Sequence, residues 1–217
     1  MAGNTGVPLN LIKPEMADLI SATIPALASN AQAINDGLGK LLVRRTGTTA
    51  DRWYPAGLVA AVAMTTGAPT ANILRAMPLI VGKVTLDRIA INVLTQVAGN
   101  ARLGIYSDDG NCYPSSLILD AGAVDTGSTG VKAIEISRAL PPGLYWLVLV
   151  GSAAPTIRVL DLTGCMPILG GGNTLTTTTG VGWTVAFNYA ALPATFPGGA
   201  AAILAAPVPA IFVRLSA

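Results

Sequence analysis

The sequence has no histidine, two cysteines and little charge. Without histidine there is no Ser-His-Asp or Cys-His nucleophile system and no His-ligated metal. Cys112 and Cys165 cannot build a zinc site by themselves, and the sequence leaves open whether they pair or stay as thiols. Charged residues are 11% of the 217, against about 25% in an ordinary soluble domain. The net charge of +2 is too small for bulk electrostatics to recruit nucleic acid or an anionic membrane. Basic residues are missing ahead of any apolar stretch at the start, so no signal peptide is expected, and Pro, Gly and polar residues break every apolar run before it could span a bilayer. A chain with 52% hydrophobic residues is not disordered, and so little charge implies that other copies or other proteins cover part of its surface.

The N-terminal stretch carries a seam. Ile20, Ile24, Leu27, Ala31, Ile34, Leu38 and Leu41 follow one another at alternating spacings of four and three, a period of 3.5 that keeps one stripe facing partner helices. Pro25 lies inside the pattern, and Gly37 and Gly39 weaken its end by about 1 kcal/mol each relative to alanine. The seam predicts an oligomerising helical segment over 1–45 that attaches to a larger assembly. Residues 46–72 are expected to be a linker, and across 43–72 Arg44, Arg45 and Arg52 near Trp53 and Tyr54 read as a solvated basic-aromatic cluster. The run GLVAAVAM at 57–64 is a strand or buried connector.

From 73 to 217 the pattern is that of strands. In DRIAINVL, Ile89, Ile91 and Val93 oppose Ala90 and Asn92; Leu103 and Ile105 share a face; Ile134 and Ile136 alternate with Ala133 and Glu135. LYWLVLV at 144–150 is apolar throughout, as in a central strand covered on both sides, so Tyr145 and Trp146 must meet different layers. Trp183, Val185, Phe187 and Tyr189 form one face, and AIFVRLS closes the sheet. Turns rich in Asp, Gly, Asn and Pro separate these runs. The expected fold is mainly β: an antiparallel β-sandwich, jelly-roll-like, behind an N-terminal helical or coiled-coil segment. Between Leu162 and Val213 there is no Asp, Glu, Lys or Arg, which predicts either an unusually apolar core segment or, preferred here, an intersubunit surface.

Little chemistry survives inspection. Asp108-Asp109-Gly110-Asn111 begins like a calcium loop, but the twelfth position is Leu119 where a bidentate Glu is needed, so a hairpin turn with positive φ at glycine is preferred, a looser site with Asp120 being the alternative. No two acids are placed for glycoside hydrolysis, and Gly170-Gly171-Gly172 lacks the Lys-Ser/Thr of a phosphate loop. No catalytic residue, metal or cofactor is expected. Aromatic rings on loops stack on sugar rings, so Trp53, Tyr106 and Tyr113, with Asp108, Asp109 and Asn111 as polar partners, are the candidate ligand residues.

The segments LGIYSDDGN, LILDAGAVDT and LPPGLYWL, within residues 72–150, resemble a jelly-roll domain of tailed-bacteriophage structural proteins, particularly fibre and tail-appendage proteins. Ser115 and Ser116 follow Pro114 where that family has glycine, and Cys112 stands where a small or polar residue is usual. The resemblance implies a non-enzymatic virion protein, made in the host cytoplasm and homotrimeric. It would be held to other virion proteins by its N-terminal segment and would bind a host surface glycan through multivalent weak sites. The alternatives are a capsid decoration or cement protein, and a free carbohydrate-binding module or glycan-active enzyme.

Overall fold

The computed structural model of the chain describes residues 28–31, 52–57, 64–165, 167–170 and 180–216. Of the seam, only Ala31 falls among them, exposed in a helical turn over 28–31; Ile20, Ile24, Leu27, Ile34, Leu38 and Leu41 lie outside the described residues.

The chain runs through β1 (Trp53–Pro55), β2 (Met64–Gly67), β3 (Ile73–Val81), β4 (Val84–Thr95), β5 (Asn100–Asp108), β6 (Pro114–Asp125), β7 (Gly130–Leu140), β8 (Gly143–Gly151), β9 (Thr156–Leu160), β10 (Trp183–Ala186), β11 (Ala201–Ala202), β12 (Val208–Pro209) and β13 (Phe212–Leu215). Two sheets result. One has the order β1-β13-β4-β9-β12, with β2 added on β9 and β7 on β4; the other has the order β11-β10-β3-β8-β5-β6. Every pairing is antiparallel. The protein is a mainly-β, antiparallel sandwich.

The period-2 patterns place its core. Ile89, Ile91 and Val93 of β4 meet Met77, Leu79, Leu103, Ile105, Tyr145, Leu147 and Leu149 from the facing sheet. The six-stranded sheet then buries its other face as well. Leu74, Ala76, Tyr106, Trp146, Val148 and Val150 form a second apolar layer with Leu192 and Phe196. The segment that follows β10 lies across this face as a cover. Its backbone is tied down by Phe187 N–H donating to Asn72 O (2.9 Å), Leu117 N–H to Ala194 O (2.9 Å) and Phe196 N–H to Ser115 O (2.8 Å). Hence β8 is apolar at every position and Tyr145 and Trp146 point into different layers, as the run LYWLVLV requires.

Two expectations are corrected. The stretch 46–72 is not only a linker: Trp53, Tyr54 and Pro55 pair with Arg214, Val213 and Phe212, and Met64–Gly67 pairs with 157–160, so the sandwich begins no later than Trp53. The run WTVAFNY leaves strand geometry after Ala186, although Trp183, Val185, Phe187 and Tyr189 do pack together on the second layer. β3 goes unread in the sequence because Pro78 sits within it. Proline is tolerated there because β10 reaches only to Ala76, and beyond that point the strand's free edge is met by Gly57, whose N–H donates to Pro78 O (2.6 Å). Both cysteines are free thiols.

Candidate functional site

Five of the six candidate ligand residues do come together, at the β5–β6 hairpin, but four of them, Tyr106, Asp108, Asp109 and Tyr113, bind groups of the protein itself. Asp108 accepts from Gly110 N–H (2.8 Å) and from the Trp146 indole N–H (2.8 Å). Asp109 accepts from the N–H groups of Asn111 (2.7 Å) and Tyr113 (3.2 Å). Gly110 supplies the positive φ of 93° that the turn needs, and Cys112 follows at 59°. The Tyr113 hydroxyl donates to Pro197 O (2.8 Å) and accepts from Ala200 N–H (3.3 Å), while the Trp183 indole donates to Cys112 O (2.7 Å). Tyr106 has no exposed surface, and its hydroxyl donates to Pro193 O (2.6 Å). The rings of Tyr106 and Tyr113 meet Phe196 edge-on, at 5.4 and 5.9 Å between centroids, and Tyr113 meets Trp183 at 4.9 Å.

The hairpin is therefore a clasp that fastens the cover onto the six-stranded sheet. Tyr106 cannot serve as a sugar platform, and only Asp109 and Asn111 of the five are well exposed. Asp120, the remaining acid of the looser calcium reading, accepts from Arg102 (2.7 Å), Gly122 N–H (3.0 Å) and Leu192 N–H (3.1 Å). Among the described residues no three acidic or cysteine side chains converge as metal ligands would. Trp146 and Trp183, which hold the clasp, were absent from the candidate set; the signal for Trp146 was the doubly apolar β8.

Burial pushes the phenols of Tyr106 and Tyr145 above their ordinary value. Below about pH 10 both the folded and the unfolded chains keep these protons, so their contribution to stability is complete. Above that pH the unfolded chain releases protons that the folded chain holds, and stability falls as pH rises. We expect the urea midpoint to drop steeply from about pH 10 upward, and less steeply in Tyr106→Phe. An unchanged slope in that variant would show that Tyr106 ionises freely when folded.

Trp53 stands apart, on the outward face of the seven-stranded sheet. Register sets up two parallel rows there: Trp53, Arg214, Arg88 and Glu135 in one, Pro55, Phe212, Ala90 and Ala133 in the next, with Asn92 opposite Val131 beyond. Small Ala90, beside Phe212 in its row, leaves an open hollow of about 170 Å³ lined by Trp53, Ala90, Ile91, Asn92, Val131 and Phe212. Its lining is apolar save for the Asn92 amide. The charges beside it are already partnered. Arg214 donates to both Asp87 carboxylate oxygens (2.6–3.0 Å) and lies 6.0 Å from the Trp53 ring, and Arg88 pairs with Glu135 at 2.5 Å. The Arg214 hydrogen bonds hold the Asp87 carboxyl below the usual range despite some desolvation. An Asp87 carboxyl held ionised in this way is a poor general acid. Phe212 and Val131 were not singled out from the sequence, although the alternation that set Ala90 and Asn92 against Ile89 and Ile91 marked this face.

No protein-family model matches the chain, and a search of curated proteins found no significant match.

Proposed function

We propose that this chain is a non-enzymatic structural protein of a bacteriophage particle, of the fibre or appendage kind, working as a homotrimer. Its sandwich is read as a jelly roll: β3, β5, β6 and β8 lie in one sheet and β4, β7 and β9 in the other, so the chain passes repeatedly between layers. The resembling stretch 72–150 coincides with β3–β8, the hairpins and central strands of that sandwich. The observation that carries the assembly reading is the contrast between the two outer faces. The six-stranded sheet is sealed by its own chain, whereas the seven-stranded sheet turns outward an apolar hollow framed by charges that need no further partner. Light scattering on the purified full chain is expected to give three times the chain mass at micromolar concentration. A stable monomer would remove the reading.

A decoration or cement role is the second reading. The inward use of Tyr106, Asp108 and Tyr113 favours it, because it takes those residues away from a glycan site. Adsorption of labelled protein to host cells supports attachment; adsorption only to particles depleted of this protein supports decoration.

A further inference from the structure

We infer that Arg75 is the receptor for a small carboxylate anion that enters the end of the sandwich beside Thr70. The inference is independent of the assembly reading above. Arg75 lies in β3, opposite Leu149 of β8 on one side and Thr184 of β10 on the other. Its neighbours Leu74 and Ala76 belong to the second layer, so the alternation of the strand turns Arg75 the other way, with Met77, into the space between the sheets. It is 8% exposed and is the one charged side chain among the described residues that is buried. Its Nη1 donates to Thr70 O (3.2 Å), and among the described residues the guanidinium has no other acceptor. The one sealed, unpartnered side-chain nitrogen among those residues is Arg102 Nε, so the remaining N–H groups of Arg75 reach solvent, through a narrow opening.

A cation taken out of water is costly unless an opposite charge comes with it. Elsewhere this chain supplies that charge. Arg88, Arg102 and Arg214 are all less buried than Arg75, and each holds a carboxylate. Arg75 holds none. The stretch from Leu162 to Val213, which provides β10 at its side, contains no Asp or Glu. Every acid among the described residues already serves another group: Asp87, Asp120 and Glu135 hold the three arginines, and the other four accept N–H groups of their own turns. Desolvation accordingly lowers the Arg75 pKa, whereas the Asp120 hydrogen bond raises that of Arg102. Arg75 stays cationic at neutral pH all the same. With Nη1 engaged, Nε and Nη2 form the free edge of the guanidinium, two parallel donors that match the two oxygens of a carboxylate. Thr184, paired directly with Arg75, puts a hydroxyl on the same face. One cation behind a narrow opening selects a small monoanion over a phosphate dianion or an acidic side chain carried on a folded loop.

The test is thermal melting of the full chain in sodium acetate against sodium chloride at equal ionic strength, with acetamide as the uncharged control. Wild type is expected to show a saturating rise in melting temperature with acetate, of about 3–6 °C once acetate stands about tenfold above its dissociation constant, and no rise with acetamide. Saturation separates a site from the general action of the salt, which grows steadily with concentration. Arg75→Met, which keeps the aliphatic bulk and removes the charge, should lose the saturating part. Arg75→Lys, which keeps the charge and removes the fork, should lose most of it. An acetate response that is linear in wild type, or that persists undiminished in Arg75→Met, overturns the site. The wild-type curve decides alone if either variant does not fold.

Discussion

Gly104→Val is expected to lower the melting temperature by about 3–10 °C, the result of an over-packed layer costing roughly 1–3 kcal/mol in a chain of this size. Gly104 lies in β5 where the strand faces the cover. A Cβ placed there would run into the Leu192 side chain and come within 2.6 Å of Leu119 O. The Leu192 side chain can turn only within the layer that it shares with Tyr106, Trp146 and Phe196, and the Leu119 carbonyl belongs to the backbone of β6 and cannot turn aside. The strain must therefore be relieved either by the sheet, which is sandwiched on its other face, or by lifting the cover. Calorimetry measures the loss. Limited proteolysis within 187–200 locates it, since a lifted cover exposes a stretch of Ala, Pro and Gly with few side chains to hold it. A variant as stable as wild type and equally resistant to cleavage would show that Leu192 repacks without cost.

The same layer explains what the sequence disclosed and what it withheld. Alternation at Ile89, Ile91 and Val93 and the uninterrupted run from Leu144 to Val150 encode how many faces each strand buries, because burial acts on every second residue and leaves a period that is visible locally. β3 escaped because Pro78 normally argues against a central strand, and its toleration depends on where β10 stops, a fact of pairing rather than of composition. The internal use of Tyr106, Asp108 and Tyr113 escaped the sequence for a related reason. Tyr, Asp and Asn in a turn look alike whether they meet a ligand or their own backbone. The backbone groups that occupy Tyr106 and Tyr113 arrive from 87 and 84 residues away. The charge-free stretch was expected to be an intersubunit surface, yet its large side chains Leu192, Phe196, Ile203, Val208, Ile211 and Val213 are buried in the chain's own layers. Among its described residues, what it leaves outside is mostly alanine and glycine, with Leu204 as the one large apolar side chain.

Trp146→Ala is expected to have the larger effect, about 3–5 kcal/mol of unfolding free energy, because it removes a fully buried indole from the centre of the second layer. Trp146 stands opposite Pro78 on one side and Tyr106 on the other, and its N–H reaches Asp108, so one side chain joins three strands to the clasp. Trp146→Phe separates these roles. It keeps most of the apolar area and loses the indole N–H with the smaller ring, so the loss should shrink to about 1–2 kcal/mol, with water able to reach the partly exposed Asp108. Urea unfolding of both variants gives the two numbers. Their order bears directly on function: if the alanine variant loses the full amount in one cooperative transition, cover and sandwich are a single unit, and of the two sheets the described residues leave the seven-stranded one open to partners. If it loses little and merely frees residues 187–200 to protease, the cover is a separable arm, the six-stranded sheet opens to partners as well, and the hollow beside Trp53 is no longer the face that assembly must use.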